Sequence, residues 1–133
     1  MSTRCPCCGT VLELVASATW HKHLKLLETP YGSLYLTNLR GRMFDLLWHA
    51  RPDAVVIERI VMHLWTTLEG PPMAADGNVR VMAGLLRRQL VPLGIALLHG
   101  EKGREGYRLA IMHPDEAAAI ATRIRNRSGW KGR

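Results

Sequence analysis

The chain has 133 residues, 47 % of them apolar and 22 % charged, with three cysteines and a formal net charge of +7. That length holds one domain, or one domain with a short appendage, and the composition is globular rather than disordered or collagen-like. No stretch approaches the ~20 apolar residues of a membrane span. The N-terminus lacks the charged-then-apolar order of a secretory signal, and cysteines crowded at one end make no disulfide framework. A cytoplasmic, reducing setting is therefore expected.

Residues 11–16 alternate loosely and predict a strand, and Pro30 and Gly32 mark a turn. Ser33-Leu34-Tyr35-Leu36 reads as a further strand, so a small N-terminal β-sheet is expected. A helix follows from Asn38 to Ala50, with Leu39, Met43, Leu46 and Leu47 at helical spacing, Thr37 as N-cap and Arg51-Pro52-Asp53 as the stop. A second helix is predicted from Val56 to Thr67, with Val56, Ile60, Leu64 and Trp65 on one face. The Gly- and Pro-rich segment 69–77 reads as a loop.

A third helix is expected from Asn78 to Leu90. Val79, Ala83, Leu86 and Leu90 form its buried stripe, and Arg80, Val81, Gly84, Arg87 and Arg88 fall on the opposite face. Pro92 and Gly94 stop it. The apolar runs 95–98 and 107–111 flank a Gly-rich segment and read as a hairpin with Lys102 and Arg104 at its tip. Pro114 suits the first turn of a last helix, with Asp115 and Glu116 at its positive end and Arg123, Arg125 and Arg127 at its negative end. Residues 128–133 read as a basic tail.

The charge is uneven. Residues 1–37 carry three Lys/Arg against two acids and residues 38–75 carry four against four, whereas residues 76–111 carry six against three and residues 112–133 five against two. General solubilisation would spread the excess. Its concentration in the C-terminal half predicts a basic face for an anionic partner, of which nucleic acid is the commonest.

This order of elements resembles the DNA-binding domain of OmpR/PhoB-type response regulators. The residues that carry the resemblance are Leu36-Thr37, Leu46-Leu47, Pro52 with Val55-Val56, Leu64-Trp65, Arg80-Val81 through Leu86-Arg87-Arg88-Gln89-Leu90, and Gly106-Tyr107-Arg108-Leu109. They cover about residues 34–111. The fold class implied is an α+β winged helix-turn-helix: a three-helix core, a small N-terminal β-sheet and a C-terminal β-hairpin wing, here with an added C-terminal helix. The division implied is 1–32 as a cysteine-bearing segment, 33–111 as the winged helix and 112–133 as C-terminal helix and tail. The third helix would enter the major groove, the hairpin would reach phosphates or the minor groove, and the 69–77 loop corresponds to one that touches RNA polymerase in some members.

The sequence departs from the family where Gly84 and Leu85 replace basic residues, where the wing residues Gly103-Arg104-Glu105-Gly106-Tyr107 are shifted, and where Ile57 stands for a Ser cap. A receiver domain of ~120 residues has no room, so phosphotransfer is not expected. The whole is more similar to short free-standing winged-helix proteins of phages and prophages, some of which begin with a comparable Cys-Pro-x-Cys-Gly stretch.

The resulting expectation is a non-enzymatic, nucleoid-associated transcriptional regulator that binds double-stranded DNA as a monomer or homodimer. The DNA-binding set is Asn78, Arg80, Val81, Gly84, Arg87, Arg88, Lys102, Arg104 and Arg108, with Arg87 foremost. Asn78 reads equally as a helix cap, Arg108 as structural, and Val81 as a partner for a thymine methyl. Arg40 and Arg42 flank the backbone. Six phosphate contacts would give a log–log salt slope of roughly −5.

Cys5 and Cys8 have the two-residue gap that lets thiolates share one tetrahedral Zn2+. Cys7, His21 and His23 are the candidates to complete the site, and a reduced, metal-free N-terminus is the alternative. No nucleophile elbow, phosphate loop or paired carboxylates is present. The competing function is a protein-interaction adaptor acting on the transcription machinery, which Gly84 and Leu85 favour.

Overall fold

A computed structural model describes residues 18–66, 70–100 and 105–127. Its elements run β1 (Thr19–His21), β2 (Leu26–Thr29), β3 (Gly32–Tyr35), α1 (Asn38–Ala50), β4 (Val55–Val56), α2 (Ile57–Leu64), α3 (Ala75–Leu90), a 3-10 turn (Val91–Leu93), β5 (Ile95–His99), β6 (Gly106–Ile111) and α4 (Pro114–Arg127). The architecture is α+β, with two small antiparallel sheets ordered β1-β2-β3 and β4-β6-β5.

In the first sheet the register sets Trp20 opposite Leu27 and Leu27 opposite Leu34. The row gives the sheet one apolar face, which packs on α1 through the buried Leu27 and the adjacent Leu36. Gly41 lets α1 start tight against that junction, since a Cβ there would stand 2.3 Å from the Leu36 carbonyl oxygen. Met43, Phe44 and Leu47 of α1, Ile60 and Leu64 of α2, and Val79, Leu86 and Leu90 of α3 meet in one core. Ile95, Leu97 and Leu109 of the second sheet close it, and α4 packs on β5 and the 3-10 turn, burying Ala117.

The second sheet is held by β6. Its residues Ile111 to Tyr107 pair with Ile95 to His99, while Tyr107 and Gly106 pair with Val55 and Val56. Gly106 is required by this approach: a Cβ would lie 2.4 Å from the Val55 carbonyl oxygen and 2.9 Å from the Val56 Cα. The pairing brings the start of α2, the end of the hairpin and the outer side of α3 together.

Four local expectations are corrected. Val56 belongs to a strand and α2 starts at Ile57, because Val55 and Val56 gain backbone partners on β6. The helix α2 ends at Leu64 rather than Thr67. Thr37 occupies the N-cap position of α1 but makes no capping hydrogen bond. The helix α3 begins at Ala75, not Asn78, so Asn78 lies inside it and donates its backbone N–H to the Ala74 carbonyl at 2.9 Å. The capping role for Asn78 is thereby removed. The strand expected over 11–16 and the basic tail lie outside the described residues.

Candidate nucleic-acid interface

Because α3 buries Ala75, Val79, Met82, Ala83, Leu86 and Leu90, its other side carries Asn78, Arg80, Val81, Gly84, Leu85 and Arg88. Asn78, Arg80 and Arg88 are exposed. Val81 is 66 % and Leu85 38 % exposed, large values for apolar side chains. Gly84 is half-buried, with open space where a Cβ would stand. The centre of this face is thus apolar, with polar groups at its two ends.

Arg80 is engaged by the hairpin. Its Nε donates to Glu105 Oε2 at 2.5 Å and its Nη2 to Oε1 at 2.7 Å, a bidentate pair across 25 residues of sequence. The hydrogen bonds and the charge of Glu105 push the guanidinium pKa up, while the Arg80 hydrogen bond holds the Glu105 carboxyl below the usual glutamate range. Two of the five guanidinium donors are used, leaving three for another partner. Tyr107 lies buried beside this pair, and burial raises its phenol pKa, with the negative charge of Glu105 adding to the effect.

Arg87 departs from expectation. It does not belong to the outer face: its Nε donates to the Leu97 carbonyl of β5 at 2.9 Å, and its Nη2 is buried with no hydrogen-bond partner among the described residues. Burial lowers its guanidinium pKa. Leu86 precedes it on the buried stripe, so Arg87 leaves the helix at the rim of the core, and its long side chain bridges to the sheet rather than to solvent. Arg88, one step further round, is exposed with no ion pair among the described residues.

Other sequence-derived candidates fall into three places. Arg108 stands on β6, half-buried, opposite Leu98, beside a shallow cleft with Pro52, Asp53 and Gly100. Lys102, Arg104, Cys5, Cys7 and Cys8 lie outside the described residues. His21 is in β1 with its Nε2 2.6 Å from Glu28 Oε1, whereas His23 falls in the following turn. They therefore do not share one extended segment, and no group of three or more metal-ligating side chains is present among the described residues.

Of the first-helix arginines, Arg40 donates from Nη1 to Gln89 Oε1 at 3.0 Å, fastening α1 to the end of α3. Arg42 donates from Nη1 to the Leu64 carbonyl at 3.1 Å, fastening α1 to the end of α2. Sequence reasoning missed Glu105 as a member of the site. Its distance in sequence from Arg80 leaves no local signal for the pair, and Glu101, beside Lys102, was an equally placed acid.

No helix among the described residues is long and apolar enough to cross a membrane. No family model matches this chain, and no match was found among curated proteins or among solved structures.

Proposed function

We propose that the chain is a winged helix-turn-helix that binds duplex DNA and regulates transcription, with α3 as the recognition helix and the β5–β6 hairpin as the wing. The observation that carries this reading is the joint between them. The Arg80–Glu105 pair ties the residue just before β6 to the outer face of α3, and Arg87 ties the rim of the same helix to β5. An α-helix flanked by a ribbon is a shape that fits the major groove and its border of phosphates.

Within this reading the roles differ from those expected. Arg88, Lys102, Arg104 and Arg108 contact phosphates. Arg80, positioned by Glu105 through its Nε–Nη2 edge, keeps the Nη1–Nη2 end of its fork for a base edge, where a bidentate contact to guanine is the favoured pairing. Asn78 and Val81 accompany it, and Gly84 allows close approach of the helix backbone. Arg87 holds α3 on β5 and makes no DNA contact.

A second reading is favoured by one observation: Val81, Gly84 and Leu85 leave the middle of α3 apolar, and Met73 of the preceding loop is fully exposed. An adaptor that docks on a protein of the transcription machinery, such as RNA polymerase, would use such a face. Fluorescence anisotropy of the full chain against a mixed-sequence duplex, at low and high salt, separates the two. DNA binding weakens steeply with salt. An adaptor shows no salt-dependent binding of DNA.

Zinc held by Cys5 and Cys8, with Cys7, His21 and His23 as the candidates to complete the site, is a separate proposal from the sequence. Metal analysis of protein purified without chelator tests it, and a content near zero removes it.

A further inference from the structure

A cleft of about 410 Å³ opens between the β1–β2 turn, the start of α1 and the end of α2. Small-molecule sites occupy roughly 300–1,000 Å³. Four fully charged side chains line it: Lys22, Lys25, Arg42 and Asp45. Asp45 is already satisfied, since it accepts the Trp20 indole N–H at 2.8 Å and lies 3.5 Å from the Lys22 ammonium. Setting Lys22 against Asp45 leaves Lys25 and Arg42, a net +2, and neither has a carboxylate partner among the described residues.

The walls are fixed. Arg42 spends one donor on the Leu64 carbonyl and keeps four. The Trp20 ring is held at its nitrogen by Asp45 and at its side by Phe44, whose ring centre is 5.0 Å away in an edge-to-face contact. The backbone adds an independent observation. Among the described residues two non-glycine positions have left-handed φ, Lys25 at 56° and Asn38 at 59°, and both line this cleft. A lysine is strained in that conformation, where glycine is not. Strained residues concentrate where a ligand is held.

We propose that this cleft binds a small organic phosphate monoester, with its phosphate on Lys25 and Arg42 and its apolar body against Trp20. A phosphate monoester carries about −1.5 to −2 charges at neutral pH, which matches the uncompensated pair of cations. A carboxylate would neutralise only half of it. Among the described residues, none of α3 or of the hairpin lines the cleft, so the proposal stands or falls apart from the DNA reading.

The test follows the Trp20 indole N–H in the 15N-labelled full chain, identified by its loss in Trp20→Phe. Phenyl phosphate, inorganic phosphate and phenol are titrated separately. Phenyl phosphate is expected to shift the resonance to saturation, inorganic phosphate to do so at least about tenfold more weakly, and phenol to leave it in place. Lys25→Gly removes the cation and the backbone strain together. It is expected to raise the Tm while weakening phenyl phosphate at least about tenfold. No saturation by phenyl phosphate at about 10 mM, equal affinity for inorganic phosphate, or wild-type affinity in a folded Lys25→Gly each overturns the proposal. A blunt duplex without terminal phosphates is the last arm. If it shifts Trp20 where phenyl phosphate does not, the cleft is a DNA-backbone contact and the small-molecule assignment is wrong.

Discussion

Arg87→Met keeps an aliphatic side chain at the rim of α3 and removes the charge turned into the fold. The Nε–H bond to the Leu97 carbonyl is lost, and a hydrogen bond from a charged donor is worth about 1.5–3 kcal/mol. Against that, Nη2 is buried without a partner among the described residues, and leaving such a group unsatisfied costs about 1–3 kcal/mol. Burial also disfavours the cation itself, as its lowered pKa reflects. The terms nearly cancel, so Arg87→Met should change stability by less than about 1 kcal/mol in either direction. Arg87→Ala differs because it also deletes the stem and leaves space between α3 and β5, a loss of about 2 kcal/mol. In urea that loss appears as a midpoint shift on the order of 1 M. Duplex affinity, measured by anisotropy where each variant is folded, should stay within about twofold of wild type for both. A tenfold loss of duplex binding in a stably folded Arg87→Met would refute the inward assignment and return Arg87 to the interface.

Gly84 faces open space, so Gly84→Lys adds a cation to the outer face of α3 without a clash. It should steepen the log–log salt slope of duplex binding by about 0.9 and gain up to about 1 kcal/mol of stability from helix propensity; an unchanged slope contradicts the placement. Gly106→Ala forces β6 from β4 and should cost about 2–3 kcal/mol in chemical denaturation, a neutral effect being incompatible with the 2.4 Å approach. The Glu105 carboxyl is held below the glutamate range by Arg80, so the pairing contributes above the ordinary glutamate pKa and is lost as pH falls through the lowered value. Its 13C titration midpoint should return to the ordinary range in Arg80→Gln, and no movement would mean that the pair does not form in solution.

Elements with strong local periodicity were legible. The stripe Val79, Ala83, Leu86 and Leu90 is buried as spaced, α1 spans the expected residues, and the hairpin and the Pro114 helix lie where turn and cap chemistry placed them. The two-residue strand β4 was hidden because Val55-Val56-Ile57 suits either a strand or a buried helix, and its partner is some fifty residues away on β6. The start of α3 was hidden by Gly77, which a helix tolerates near its end although it resembles a loop residue. Arg87 was misplaced for a different reason. Four residues after Ala83 it stands about 40° round the helix, beside the stripe and not opposite it as expected, and the Leu97 carbonyl then takes its Nε–H inward. Neither the Arg80–Glu105 joint nor the left-handed Lys25 has a sequence signature, since one is non-local and the other stands where glycine is the usual signal.

The central claim is that α3 and the hairpin present cations to a duplex. The salt dependence of duplex binding by the full chain, compared with Arg88→Ala, tests it most directly. Phosphate contacts from Arg88, Lys102, Arg104 and Arg108 predict a log–log slope of roughly −3.5, shallower by about 0.9 in the variant. Affinity that does not vary with salt, or no binding at the lowest salt, would contradict the account.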